Sequence, residues 1–187
     1  MIYSDLSLFP IHVRKTNLKE CIDLEKLEQK SIKFLQENVI QKHGSLDFGK
    51  STHNYTFSIL DHLDETHVKE TILTEVNAFY NERFDKYRKL KSNNNWINLT
   101  EPGGKLLYHT HPTSVISVAF YISAESPNAD LIFSSPDSTA IAIYGEQFYN
   151  VPVQTGDLIM FSSYIPHFSE ETKTRRLVLS LNTVYDV

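Results

Sequence analysis

The chain has 187 residues, 41% of them hydrophobic and 22% charged, and a formal net charge of −5. That length fits one domain with a substantial core, and the composition excludes a disordered or fibrous protein. The acidic balance and the scattered lysines and arginines argue against a phosphate-backbone partner, so nucleic acid is not expected.

In chain order, the N-terminal residues lack the basic start and apolar run of a secretion signal, and no apolar stretch approaches the roughly 20 residues of a membrane-spanning helix. The expectation is a cytoplasmic protein with no membrane partner. After a short apolar start at residues 6–13, Asn17 followed by Glu20 offers a helix-opening pair. Leu18, Cys21, Ile22, Leu24, Leu27, Ile32 and Leu35 then predict a helix over 18–37 with one buried face. Cys21 is the only cysteine, so neither an internal disulfide nor a cysteine-held zinc cluster can form, and any metal falls to His, Asp or Glu.

A second helix is predicted over 65–90, from the stripe Val68, Ile72, Val76, Phe79, Tyr80, Phe84 and Tyr87, which reads as core packing rather than a cofactor site. The basic stretch 83–91 reads as its solvated end, and the polar residues 91–95 as the connector between the helical and β-rich parts. From Trp96 onward, short β-branched and aromatic runs alternate with turn signals at 102–104, 126–128, 135–137, Gly145 and 155–157. Such a texture describes antiparallel strands in a sandwich, barrel or jelly roll.

Of the eight histidines, His12, His43, His53, His62 and His67 are isolated in polar surroundings and read as surface or helix-edge residues. His109 and His111 fall in the run 105–111, which reads as a strand, so their rings share a face. That pair is either a metal-binding element or a hydrogen-bonded surface pair. His167 follows an apolar strand that Pro166 ends, which places it at that strand's far edge. In the last strand, Arg176, Val178, Ser180 and Asn182 share one face and three leucines the other. If the first face lines an interior, Arg176 is a fixed cation suited to clamping a carboxylate.

His109-x-His111, then His167, then Arg176 nine residues on resembles the Fe(II)/2-oxoglutarate oxygenases, whose usual pattern is His-x-Asp/Glu, a distal His and a downstream Arg. More closely, Trp96-Ile97-Asn98, Gly103-Gly104, His109-x-His111-Pro112, Ser117-Val118-Ala119-Phe120-Tyr121, Gly156-Asp157-Leu158, Pro166-His167 and residues 176–182 resemble the 2-oxoglutarate/Fe(II) oxygenase family of bacteria and tailed phages, in the prolyl-hydroxylase-like superfamily. The resemblance covers about residues 96–182. It implies an α+β, mainly β fold: a double-stranded β-helix (jelly-roll) core at 96–187, with a helical support region at 1–95, in one domain over 1–187.

The resemblance further implies Fe(II) held by His109, His111 and His167, and 2-oxoglutarate as cosubstrate with its distal carboxylate on Arg176. Tyr121 would donate to that same carboxylate, Ser117 would line the pocket, and Asn98 and Ser180 would stand with the cosubstrate. The implied reaction hydroxylates a C–H bond of a peptide or protein side chain, or of a small metabolite, and releases succinate and CO2. One departure matters, because His111 stands where the family pattern has an acid. Either it ligates, giving three neutral imidazoles, or it stands behind the ligands while water takes the third place. Two rival readings remain: a cupin-type three-histidine metal enzyme that does not use 2-oxoglutarate, and a jelly-roll binding module without catalysis.

Overall fold

The computed structural model describes residues 11–38, 46–53, 56–124, 130–137, 139, 145 and 147–187. Their elements are β1 (Val13–Asn17), α1 (Leu24–Glu37), β2 (Leu46–Ser51), α2 (Ile59–His62), α3 (Thr66–Arg83), β3 (Leu90–Leu106), β4 (Ile116–Ala124), β5 (Leu131–Ser134), β6 (Phe148–Val151), β7 (Asp157–Ser162), β8 (His167–Phe168) and β9 (Arg176–Tyr185). The strands form two antiparallel sheets, in the orders β1-β7-β4-β9-β3-β2 and β6-β5-β8.

Strand alternation assigns each residue to a layer. Leu177, Leu179 and Leu181 of β9 point away from the small sheet, with Ile97 of β3, Phe120 of β4 and Met160 of β7, and bury against Ile72, Val76 and Phe79 of α3 and Leu35 of α1. Truncating a core residue such as Ile72 to Ala would cost about 2–5 kcal/mol. The alternate residues of the same strands, Tyr121, Ile159, Phe161 and Val178, close on Leu131, Phe133 and Ile165 in a second apolar layer. Helices backing one of two facing antiparallel sheets give the α+β, mainly β jelly roll that the sequence leads one to expect. Among the described residues no helix is long and apolar enough to cross a membrane.

The N-terminal part is more than a helical support, because it contributes β1 and β2, one to each edge of the large sheet. The first helix starts at Leu24 rather than at 18, since Asn17 is held in β1: its Nδ2 donates to buried Asp157 at 2.8 Å. Asp23 caps the helix instead, accepting from the Lys26 amide. The third helix ends at Arg83, not at 90. Asn77 reaches out of it to bond both the N–H and the C=O of Leu90, which turns the chain into β3, and Phe84 and Tyr87 are left exposed.

Residues 91–95, expected as a connector, continue β3 and pair with β9, and buried Asn95 accepts from the Leu60 amide to tie down α2. The turn expected at 102–104 is an irregularity within β3. There Gly103 takes φ 85°, and a Cβ on Gly104 would stand 2.4 Å from the Phe48 carbonyl oxygen. The turn expected at 126–128 lies outside the described residues, as do residues 6–10 and His43.

Candidate metal centre

Four inward-facing rows of the large sheet build one wall of a cavity. The registers place Arg176 beside Thr100, Val178 between Asn98 and Tyr121, Ser180 between Trp96 and Ala119, and Asn182 beside Ser117. The cavity between the sheets has a volume of about 290 Å³, and its lining includes His109, His111, His167, Arg176, Tyr121, Asn98 and Ser180. None of its described lining residues is acidic.

The two sequence-adjacent histidines do not lie on a regular strand. β3 ends at Leu106, and His109 continues only as an isolated bridge to His167, with N–H···O=C bonds of 3.1 and 3.0 Å in the two directions. His111 is anchored by its amide to the Ser163 carbonyl at 2.9 Å. His167 does not close β7 but opens β8, in the other sheet, after the turn beyond Ser162. The three rings nevertheless converge, with centroids 4.3 Å (His109 to His167), 4.9 Å (His109 to His111) and 5.2 Å (His111 to His167) apart. Their ligand atoms all lie within 4.8 Å of one another, close enough to share one ion.

Ring orientation supports that use. Nδ1 of His109 lies 2.7 Å from the Leu107 carbonyl oxygen and Nδ1 of His167 lies 3.1 Å from that of Ile165, so each ring can donate there and keep an Nε2 lone pair for a metal. Burial lowers the pKa of His109, opposed by the Leu107 carbonyl, with a small push from His53. Burial, then His109, holds His167 well below the usual imidazole value, against the Ile165 carbonyl. Both are neutral near pH 7, the form that binds metals.

Arg176 is 3% exposed, and Nη2 donates to Ser169 Oγ at 2.8 Å, while Nε and Nη1 are buried and find no hydrogen-bond partner among the described residues. Burial lowers its pKa, with Tyr121 opposing, yet an arginine keeps its proton. Burial likewise pushes the Tyr121 phenol up to about 12, so its hydroxyl is a neutral donor. A buried guanidinium in a cavity whose described lining holds no carboxylate fits an anionic ligand, and three converging imidazoles fit a divalent iron.

The other expected residues fall in different places. Asn98 lines the cavity, but its amide already accepts from Ser51 at 2.6 Å and donates to Ser180 at 3.3 Å. Ser117 shares the inward face yet is buried behind the cavity, 2.7 Å from Ser163 Oγ and 2.8 Å from the Asn182 amide. Three further residues belong to the site. Ser169, two positions past His167 and on the same face by strand parity, steers Arg176. Trp96 and His53 line the cavity with ring centroids 4.6 Å apart, so the reading of His53 as a surface residue is corrected. Nothing local to His53 could have announced it, because β2 delivers it through pairing with β3.

Residues 94–182, which carry all these side chains except Ser51 and His53, match the model of the family described as "Putative 2OG-Fe(II) oxygenase". Among solved structures the fold is similar to a prolyl-4-hydroxylase from Pseudomonas putida, at 11% identity and a TM-score of 0.64 over 91% of each chain. It is similar, too, to a prolyl hydroxylase from Trichoplax adhaerens in complex with a hypoxia inducible factor peptide fragment, at 11% identity and a TM-score of 0.63, covering 91% of this chain and 82% of that one. A third likeness is to the non-heme alpha ketoglutarate dependent epimerase SnoN from nogalamycin biosynthesis, at 12% identity and a TM-score of 0.64, covering 92% and 77%. No protein of curated function matches the sequence.

Proposed function

We propose that this chain, a 2-oxoglutarate- and Fe(II)-dependent oxygenase, hydroxylates a C–H bond on a neutral side chain of a peptide or protein, using His109, His111 and His167 as metal ligands and Arg176 as the cosubstrate clamp. The observation that carries the reading is the union, in one cavity, of three converging imidazoles with a buried guanidinium whose Nε and Nη1 have no partner among the described residues. Fe(II) with 2-oxoglutarate supplies the activation of O2 that oxidises the substrate and yields succinate and CO2.

The protein's own residues bind, orient and exclude water. Arg176 pairs its open N–H groups with the distal carboxylate, and Ser169 fixes the guanidinium plane. Tyr121, beside it and neutral, adds a hydroxyl donor without competing charge. Phe161, Val178 and Leu131 give the cavity an apolar part, which would protect a strong oxidant from side reactions.

The lining also constrains the substrate. Among its described lining residues the one permanent charge is Arg176 and none is a carboxylate that could meet an ammonium group, which favours a neutral part entering. At about 290 Å³ the cavity stands at the lower end of small-molecule sites, and the cosubstrate takes a share. A single side chain presented from a polymer fits what remains. The cupin-type alternative leaves the Arg176 guanidinium without purpose, which counts against it.

The test is conversion of 2-oxoglutarate to succinate by the purified protein with Fe(II), ascorbate and O2, with and without candidate peptides. Slow succinate release that Arg176→Met abolishes is expected. Tight iron binding with no 2-oxoglutarate turnover under any condition would favour the cupin-type reading.

A further inference from the structure

An imidazole offers a free Nε2 lone pair to a metal when something accepts the proton on its Nδ1. His109 and His167 find that acceptor in the main chain two residues upstream, at 2.7 Å on Leu107 and 3.1 Å on Ile165. The carbonyl two residues before His111, that of His109, already accepts the His167 amide at 3.0 Å. The Nδ1 of His111 faces a side chain instead: the amide of Asn182, on the inward face of β9, placed with Nδ2 3.4 Å away and with Oδ1 accepting from Ser117 Oγ at 2.8 Å.

We propose that Asn182 is the positioning residue for the third metal ligand: its Oδ1 accepts the Nδ1 proton of His111 and so turns Nε2 to the iron, while Ser117 and Ser163 hold the amide in that orientation. The inference rests on the reading of His111 as a ligand. The two ends of an asparagine amide exchange places by a half-turn, and the neighbours decide which end faces which. With the NH2 end toward His111, as the amide is placed, it donates to Nδ1 and drives the ring proton onto Nε2, which then has no lone pair for a metal. With Oδ1 toward His111, the NH2 end faces Ser117 Oγ.

The hydroxyl pair permits the second arrangement. Ser117 Oγ donates to Oδ1 at 2.8 Å as the amide is placed; after the half-turn it accepts from Nδ2 instead and donates onward to Ser163 Oγ, 2.7 Å away. Hydroxyls rotate to serve as donor or acceptor, so the row stays satisfied. Asn182, Ser117 and Ser163 are 6%, 1% and 0% exposed, so water does not offer an easy substitute for these bonds. A side-chain carbonyl thus does for His111 what the main chain does for its two companions.

Long-range proton–nitrogen NMR correlation of the metal-free, 15N-labelled protein reads the tautomer of each ring, with the His111 signals assigned by their loss in His111→Gln. The Nδ1–H tautomer is expected at His111, and a predominant Nε2–H form overturns the proposal. Asn182→Ala should abolish that preference and weaken Co(II) binding about 10–100-fold, the usual scale for a ligand's hydrogen-bond partner. Asn182→Asp, which can only accept, should keep the tautomer and bind Co(II) as tightly as the parent; a loss as large as that of Asn182→Ala overturns the proposal. Should Asn182→Ala fail to fold, Ser117→Ala serves, with mixed tautomers expected and a spectrum identical to the parent's counting against the relay. Co(II) binding with His111 in the Nε2–H form would refute this inference and spare the oxygenase reading, whereas no Co(II) binding with Nδ1–H at His111 would do the reverse.

Discussion

His109 and His167 hydrogen-bond each other's main chains in both directions, at 3.1 and 3.0 Å, and their ring centroids stand 4.3 Å apart. The bridge joins the segment that leaves β3 to the short strand β8 of the opposite sheet. Two of the three candidate ligands are therefore brought together by backbone pairing, and side-chain rotation has only to complete the job. Replacing either ring with Ala keeps the backbone bonds. His109→Ala and His167→Ala should each weaken Fe(II) or Co(II) binding by roughly 100-fold or more, beyond the range typical of outer partners, with an unchanged far-ultraviolet circular dichroism spectrum. Retained tight binding in either variant, measured by calorimetry, would remove that ring from the ligand set.

Arg176 has a cost in the ligand-free protein that a bound anion would relieve. A buried donor without a partner destabilises by about 1–3 kcal/mol, and here Nε and Nη1 are both in that position. Arg176→Met should raise the stability of the protein without 2-oxoglutarate by about 1–3 kcal/mol in urea unfolding, while abolishing succinate formation. Arg176→Lys should not restore turnover, because an ammonium cannot reproduce the planar two-point contact. A destabilised Arg176→Met would mean that the guanidinium is held by more than Ser169.

That Arg176, Val178, Ser180 and Asn182 share one face of β9 was legible from their strict alternation with three leucines, whereas that this face lines an interior was not, since β9 proves buried on both faces. The convergence of His109, His111 and His167 was legible from spacing and resemblance, although the route differs, through a single bridge and a different sheet from the one expected. What local pattern does not carry is pairing at a distance. Asn17 carries a helix-opening pattern but is captured by Asp157, 140 positions away. Strands β1 and β2 are short and polar, with little alternation, and only their partners β7 and β3 make them strands. His53 reaches the cavity by that same pairing, and Asn182 gains its role from a ring 71 positions earlier.

Trp96 offers a direct reading of metal occupancy. It is the only tryptophan in the chain, 4% exposed, lines the cavity, and has its ring centroid 5.9 Å from that of His111. Co(II) or Cu(II) titrated into the protein should quench its emission to saturation at one equivalent, and Zn(II), which is not paramagnetic, should compete the quenching away. His109→Ala should remove the saturable phase. Quenching that persists in His109→Ala and rises without saturation would place the bound metal elsewhere.

The same burial that keeps these imidazoles neutral links folding to pH. His167 is held well below its ordinary value of 6.5, and His109 is lowered too, both chiefly by burial. In the unfolded chain both rings take up protons near pH 6.5, while the folded, metal-free protein refuses them until the pH is lower. Below pH 6.5 the unfolded state therefore binds more protons, and stability falls with pH by up to about 1.4 kcal/mol per unit for each ring until the folded values are reached. Urea unfolding of the metal-free protein at pH 7.5, 6.5 and 5.5 should show a plateau and then a decline, and His167→Phe should make the decline shallower. Saturating Co(II) should push the onset to lower pH, because the metal competes with protons for the same lone pairs and binds the folded state. Equal stability of the metal-free protein across that range would mean that the rings take protons in the folded state as readily as in the unfolded one, and that they are not shielded as the geometry requires.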